Sequence, residues 1–286
     1  MIVPYRYAVP PLRQPAERSR MTAERITFSF GKNWSDYVEG VDDEDVRRAK
    51  ADIENWLGAG YVQGKRVLDV GSGSGIHSLS YVLLGAKEVY SFDYDSLSVA
   101  ATKKLKEKAK NPAHWTVTPG SVLDKSFLKS LGRYDIVYSW GVLHHTGAMW
   151  EAIENVLDLV APGGTLWITL YKGGPRYPKD LAEKRRYNAA SKLGKRLMEA
   201  RRILRLMLRR ARRFQNPFAW NEKVGRGMNT YHDIVDWFGG LPYEVATEDE
   251  VLVFARKHGF VLERISAAPE GGCSGYVLRR AIELTA

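Results

Sequence analysis

Three glycines, Gly71, Gly73 and Gly75, follow the apolar run Val67–Val70 in the segment VLDVGSGSG. Glycine after a buried strand lets the backbone turn tightly and approach a ligand, and a helix beginning there offers amide N–H groups and the positive end of its dipole to an anion. A dinucleotide fingerprint would need glycine where Ile76 stands, and a phosphate loop would need Lys followed by Ser or Thr; neither is present. Asp93, in SFDYD, lies 22 residues after Gly71. A carboxylate at the tip of the neighbouring strand can accept hydrogen bonds from both hydroxyls of a ribose. Asp124, in GSVLD at the tip of the third strand, could accept from an exocyclic adenine amine. The chemistry implied is a nucleoside carrying an anionic group, without pyrophosphate. Each acid also has a duller use: Asp69 can orient its own loop, and Asp93 and Asp124 can cap helices.

A second set of groups suits an acceptor. Gly141–Thr146 reads GVLHHT at the tip of a fourth strand. An imidazole titrating near 6.5 suits removal of a proton from a hydroxyl at neutral pH, so His144 and His145 are the candidate catalytic pair; the alternative is that they bond to backbone and shape the pocket. Further on, TYHDIVDWFGG (Thr230–Gly240) gives Tyr231, His232, Asp233, Asp236 and Trp237 at helical spacing. Tyr231, His232 and Trp237 are the candidate acceptor-binding residues, with plain helix packing as the other reading. Cys273 has no activating partner in sequence and is not taken as a nucleophile.

These residues need a scaffold. A helical pattern runs from Asp42 to Leu57, and from Lys65 onward short β-branched runs alternate with amphipathic helices: VLDV, VYSF, WTVTP, YDIVYSW and TLWITLY are the strands. That rhythm predicts parallel strands with helical crossovers. The alternation pauses over 172–247, resumes with a helix at Glu248–His258, and closes with strands at Phe260–Ser266 and Tyr276–Arg280 joined as an antiparallel hairpin. The units expected are a proline-rich arm (1–27), a helical lid (28–64), a core (65–171 and 248–286) and an inserted basic helical cap (172–247).

The chain of 286 residues carries a net charge of +10, 44% hydrophobic and 27% charged residues. Wholesale disorder and disulfide scaffolds are excluded, and a single cysteine cannot build a multi-thiolate zinc site, so no metal is expected. There is no secretory signal pattern at the start and no run of 18 apolar residues, so a cytoplasmic location is expected. Between Lys179 and Phe214 stand fourteen Lys and Arg against three acids, which accounts for the whole net charge. Leu181–Arg213 reads as a long helix broken at Gly194, with an apolar stripe of Leu193, Leu197, Ile203, Leu204, Met207 and Leu208. The preferred reading is a cap whose stripe covers the site. The others are that Arg201–Arg213 meets an anionic substrate, a membrane surface or RNA.

Taken together, FGKNW, VLDVGSGSG, SFDYD, GSVLD, YDIVYSWGVLHHT and VLDLVAPGGTLWITLY resemble the class I S-adenosylmethionine-dependent methyltransferases of small-molecule type. The resemblance implies a Rossmann-like α/β fold: a seven-stranded sheet in the order 3-2-1-4-5-7-6, strand 7 antiparallel, helices on both faces, and a helical cap between strands 5 and 6. It implies that S-adenosylmethionine, leaving as S-adenosylhomocysteine, is held by Asp69, Gly71, Ser72, Gly73 and Gly75 at its methionine part. Asp93 and Tyr94 would take the ribose, and Val122, Leu123 and Asp124 the adenine. Ser139 and Trp140 would close the site from strand 4, and Trp34 and Tyr37 would lie over the methionine end. The DPPY-type tetrapeptide of amino-group methyltransferases is replaced by SWGV at Ser139–Val142, and no cysteine is near strand 4 for attack on a pyrimidine. The function expected is methylation of a small-molecule acceptor, at a hydroxyl oxygen. The alternatives are methylation of RNA or another polyanion, and a non-catalytic nucleoside-binding protein. Oligomeric state is left open.

Overall fold

A computed structural model describes residues 31, 34, 38, 40–221 and 230–282. The arm 1–27 and Tyr37 lie outside the described residues. Helix α1 (Asp43–Leu57) begins at a reciprocal cap, in which Asp42 accepts from the Asp45 amide and the Asp45 carboxylate accepts from that of Asp42. Its buried face carries Ala49 and Ile53, four residues apart.

From there the expected alternation holds: β1 (Arg66–Val70), α2 (Ile76–Leu83), β2 (Glu88–Asp93), α3 (Ser96–Lys108), β3 (Trp115–Pro119), α4 (Lys125–Leu131), β4 (Tyr134–Trp140), α5 (Met149–Asp158) and β5 (Val160–Tyr171). After an insertion come α9 (Glu248–Lys257), β6 (Phe260–Ser266) and β7 (Cys273–Arg280). The strands form one sheet in the order β3-β2-β1-β4-β5-β7-β6. All pairings are parallel except those of β7 with β5 and β6.

Strand periodicity divides the core between the two faces. Leu68, Val70, Val137, Leu166 and Ile168 face the layer of α5 and α9, where Ile153, Val156, Val251 and Ala255 are buried. Val67, Ile136, Tyr138 and Trp167 face the layer of α1, α2 and α3, against Ile53, Leu79 and Leu105. Both faces being covered explains why the strands read as near-continuous apolar runs.

The insertion contains α6 (Tyr177–Ala189), α7 (Lys192–Arg212), a short 3-10 turn (Pro217–Asn221) and α8 (Thr230–Gly239). The expected single helix with a break at Gly194 is corrected. The two helices part at Ala190, and Ser191 caps α7 by accepting from the Gly194 amide at 3.3 Å, so Gly194 belongs to the first turn. The stripe reading is corrected too. Met198, Ile203 and Leu206 pack on Tyr187, Ile234 and Phe238, whereas Leu193, Leu197, Leu204 and Leu208 are exposed and belong to no core cluster of the described residues.

Candidate active site

One cavity of about 710 Å³ opens at the carboxyl ends of β1, β2 and β4, the crevice where the strand order reverses. One end is built by the glycine loop between β1 and α2. Gly71 and Gly73 have φ of 77° and 55°, which favour glycine, and side chains at either would collide: a Cβ at Gly71 would meet Val142 at 2.4 Å, and one at Gly73 would meet the Trp34 ring at 3.0 Å. The loop thus lies pressed between the lid tryptophan and the tip of β4.

Its amides are largely engaged in holding it. Gly71 and Ser72 donate to the Phe92 carbonyl at 2.9 and 3.1 Å, and Gly75 donates to Ser72 at 2.8 Å. The Gly73 amide donates to Asp93 Oδ2 at 3.0 Å, while Asp93 Oδ1 accepts from the Asp95 amide at 2.9 Å. Burial pushes the Asp93 carboxyl up to about 6, against the opposing pull of those two amides. Asp69 lies beneath the loop, accepts from the Ser78 hydroxyl at 2.5 Å, and also lines the cavity. Asp69 thus ties β1 to α2 and faces the cavity as well.

Trp34, Ser72, Tyr94, Val122, Leu123 and Trp140 line the cavity alongside these groups. Three candidates do not. Asp124 is exposed, and its carboxylate accepts from the amides of Ser126 and Phe127 and from the Ser126 hydroxyl, which caps α4 and holds the acid below the usual carboxylate range. Ser139 is buried and donates to the Val70 carbonyl at 3.0 Å, tying β4 to β1. Gly75 packs on Thr102 where α2 begins.

At the other end, a 3-10 turn (Leu143–His145) brings both histidines to the cavity wall with their rings 4.5 Å apart. The Tyr171 amide donates to His144 Nδ1 at 3.3 Å, and the Thr169 carbonyl also bonds to this ring. His144 Nε2 is buried without a hydrogen-bond partner among the described residues. His145 Nδ1 lies 2.6 Å from the Pro242 carbonyl and so donates there, leaving the lone pair on Nε2. Burial, with His145 and Lys184 adding to it, holds His144 well below the usual imidazole range; burial and Lys184 hold His145 at about 3. Both rings are neutral at physiological pH.

The cap contributes other members of the Tyr231–Trp237 set than the three expected. Asp233 and Asp236, three residues apart, line the cavity together with Tyr171 and Cys273. Tyr231, His232 and Trp237 do not. The Tyr231 hydroxyl donates to Glu199 at 2.9 Å, His232 stacks edge-on to Tyr231, and Trp237 packs under Lys184 and Arg202. Burial raises Asp233, opposed by Arg202 and Lys184.

Two further residues matter here: His77, expected from the sequence only to begin a helix, and Lys184, not singled out there. His77 lines the cavity, stacked on Tyr138 at 5.1 Å, with Nε2 3.5 Å from Asp52. Lys184 is fully buried just behind the wall, donates to the Trp237 carbonyl, and holds its ammonium 4.5 to 5.4 Å from the ring centres of Tyr243, Trp237 and Tyr171. Burial lowers it to about 7, against the pull of Cys273, Asp180, Asp236 and Asp233. A face of α6 carries the signal: Asp180, Lys184 and Tyr187, at spacings of four and three, are its buried residues.

The model of a methyltransferase domain family matches residues 43–212, more than half of the chain. The chain belongs to that family. With its strand order and glycine loop it is a class I S-adenosylmethionine-dependent methyltransferase. Among curated relatives, a tRNA U34 carboxymethyltransferase of Methylococcus capsulatus is 32% identical over 103 residues, 36% of this chain and 31% of that one. A ribosomal protein L11 methyltransferase of Acinetobacter baumannii is 50% identical over 52 residues, 18% of this chain and 17% of its own. The chain spans about a third or less of the curated relatives it matches. Among solved structures, magnesium protoporphyrin IX methyltransferase from Synechocystis with bound S-adenosylhomocysteine superposes with a TM-score of 0.53 at 17% identity, covering 88% of this chain and 95% of that one. An O-methyltransferase family protein from Burkholderia thailandensis gives 0.50 at 15% identity, over 84% and 58%. At such identities the likeness of the methyltransferase to these structures is one of fold.

Proposed function

We propose that this methyltransferase transfers the methyl group of S-adenosylmethionine to a hydroxyl oxygen of a small-molecule acceptor. The observation that carries the reading is the single cavity shared by the glycine loop with Asp93 at one end and His144, His145, Asp233 and Asp236 at the other. Its volume of about 710 Å³ falls within the range of about 300–1,000 Å³ usual for small-molecule sites. The residues fit the cofactor. Asp93 keeps acceptor capacity for the ribose beyond the amides it already accepts from, and glycine at 71 and 73 lets the loop lie close under Trp34 and Val142, where a Cβ would collide. Val122 and Leu123 stand where the adenine is expected, with Trp34 over the loop.

When bound, S-adenosylmethionine supplies a sulfonium methyl group open to in-line displacement. The two imidazoles line the acceptor end of the cavity, where one of them can take the proton that the acceptor oxygen loses as it is methylated. A weakly basic imidazole suffices because the oxygen becomes strongly acidic as it gains positive charge on methylation. Asp233 and Asp236 on the cap orient the remainder of the acceptor, and the buried walls exclude water.

A nucleic-acid acceptor is the second reading, favoured by the arginines of α7 and by the tRNA-modifying activity named for matched relatives. Incubation with methyl-labelled S-adenosylmethionine and either total tRNA or a small-molecule extract separates the two. Label in the low-mass fraction is expected; label retained on tRNA overturns the small-molecule assignment.

A further inference from the structure

Helix α7 has two faces of different fate. At about 100° per residue, Leu193, Leu197, Leu204 and Leu208 fall within roughly 60° of arc. They are 49 to 69% exposed, where a helix packed on a core would bury such a row. The opposite side is anchored: the Glu199 carboxylate accepts from the hydroxyls of Tyr187 on α6 and Tyr231 on α8, and Met198, Ile203 and Leu206 join the core of the cap. The leucine row is therefore held outward by a braced helix.

Arg201, Arg205, Arg209 and Arg212 follow one border of the row, and all are exposed. Arg196 lies on the other. Past the helix, Phe214 and Phe218 are exposed as well. The pattern is an apolar strip between cationic borders, with Glu199 as the one acid on the helix and already engaged by two hydroxyls.

We propose that α7 docks this methyltransferase on an anionic lipid surface, with the four leucines and the two phenylalanines in the acyl boundary and the arginines among the headgroups. Charge complementarity selects this occupant. Arginine stems can lie along an apolar strip while their heads reach phosphates at its borders. Pairing with a second copy would set one arginine row against another, an arrangement opposed by like-charge repulsion. RNA would use the arginines but has no use for a row of exposed leucines.

The test is co-sedimentation of the full chain with vesicles of phosphatidylcholine alone, or with about one-third phosphatidylglycerol, at low and high salt. Binding to the anionic vesicles and not to the neutral ones is expected. Replacing Leu193, Leu197, Leu204 and Leu208 together by Gln should weaken the partition coefficient more than about tenfold, because four apolar side chains no longer leave water. Replacing Arg201, Arg205, Arg209 and Arg212 by Gln should weaken it as well. Circular dichroism and S-adenosylmethionine affinity of both variants should match the parent, which shows that folding is intact. Failure of the parent to sediment with anionic vesicles overturns the proposal. So does vesicle binding that is unaffected by the leucine replacement, a parent that binds total tRNA in preference to vesicles, or a self-associated parent that the leucine replacement converts to monomer.

Discussion

Asp93 carries the sharpest expectations at the scale of single residues. Asp93→Ala should abolish S-adenosylmethionine binding measured by calorimetry; retained affinity would show the ribose assignment to be wrong. Because burial raises this carboxyl to about 6, affinity should also fall as pH drops through that value, where protonation removes an acceptor. The same shift bears on the cofactor-free fold. A carboxyl whose folded pKa lies above its unfolded value makes the folded state bind more protons between the two, so the contribution to stability falls as pH rises from about 4 to about 6. In Asp93→Asn the urea-unfolding stability of the cofactor-free protein should therefore lose this fall between about pH 4 and about pH 6. The histidines differ. Burial holds both below the usual imidazole range, and replacing both by Ala should leave cofactor affinity intact and lower turnover by about 10²-fold or more. Full activity in that variant would leave positioning alone to account for the rate.

Among the elements, the β1–α2 loop and α6 each make a claim. Gly73→Ala places a Cβ 3.0 Å from Trp34 at a φ of 55°. Either the ring or the loop must shift, and S-adenosylmethionine affinity should drop by about tenfold, from about 1–2 kcal/mol of backbone strain. An unchanged calorimetric isotherm would mean the loop does not touch the ligand. Helix α6 places Lys184, lowered by burial to about 7, within reach of both imidazoles. As that ammonium loses its proton, the histidines become better proton acceptors, so turnover should rise across about pH 7 and the rise should vanish in Lys184→Met. Stability provides a second reading of the same group. A lysine with a depressed folded pKa costs stability at pH 7 and below, and the cost disappears as pH rises toward its unfolded value. The melting temperature of Lys184→Met relative to the parent should therefore be more favourable at pH 6 than at pH 9, and equal differences at the two would show that the lysine is not held against its charge.

For the whole molecule, the distribution of charge separates catalysis from docking. The acceptor end of the cavity is enclosed by the cap, while the arginine rows stand on the outer side of α7. Turnover of a neutral small acceptor free in solution should be nearly indifferent to salt, since exposed charges farther away than about 10 Å are screened. Methylation of RNA would instead fall steeply as salt rises, with the release of counterions from each neutralised phosphate. A steep salt dependence of kcat/KM on a neutral acceptor would place the arginines in the reaction itself.

The alternation of strands and helices, the glycine turn after β1 and the acid ending β2 were legible in the sequence because each is set by local rules, whereas the strand order came only from the resemblance to the methyltransferases. Those rules act within a few residues and survive without knowledge of the partners. Side-chain orientation across the cap was not legible. TYHDIVDWFGG carries polar groups on every side of a helix, and packing against α6 and α7 alone decided that Asp233 and Asp236 meet the cavity while Tyr231 brackets Glu199. Asp124 is consistent with ligand and with cap by type, and the tertiary structure engages one of its oxygens with the amides of Ser126 and Phe127. Lys184 was one cation among fourteen Lys and Arg in its stretch, and only the enclosure by Tyr171, Trp237 and Tyr243 set it apart. Periodicity determines which residues share a face, but the element that covers the face determines what they do, and that element comes from distant parts of the chain.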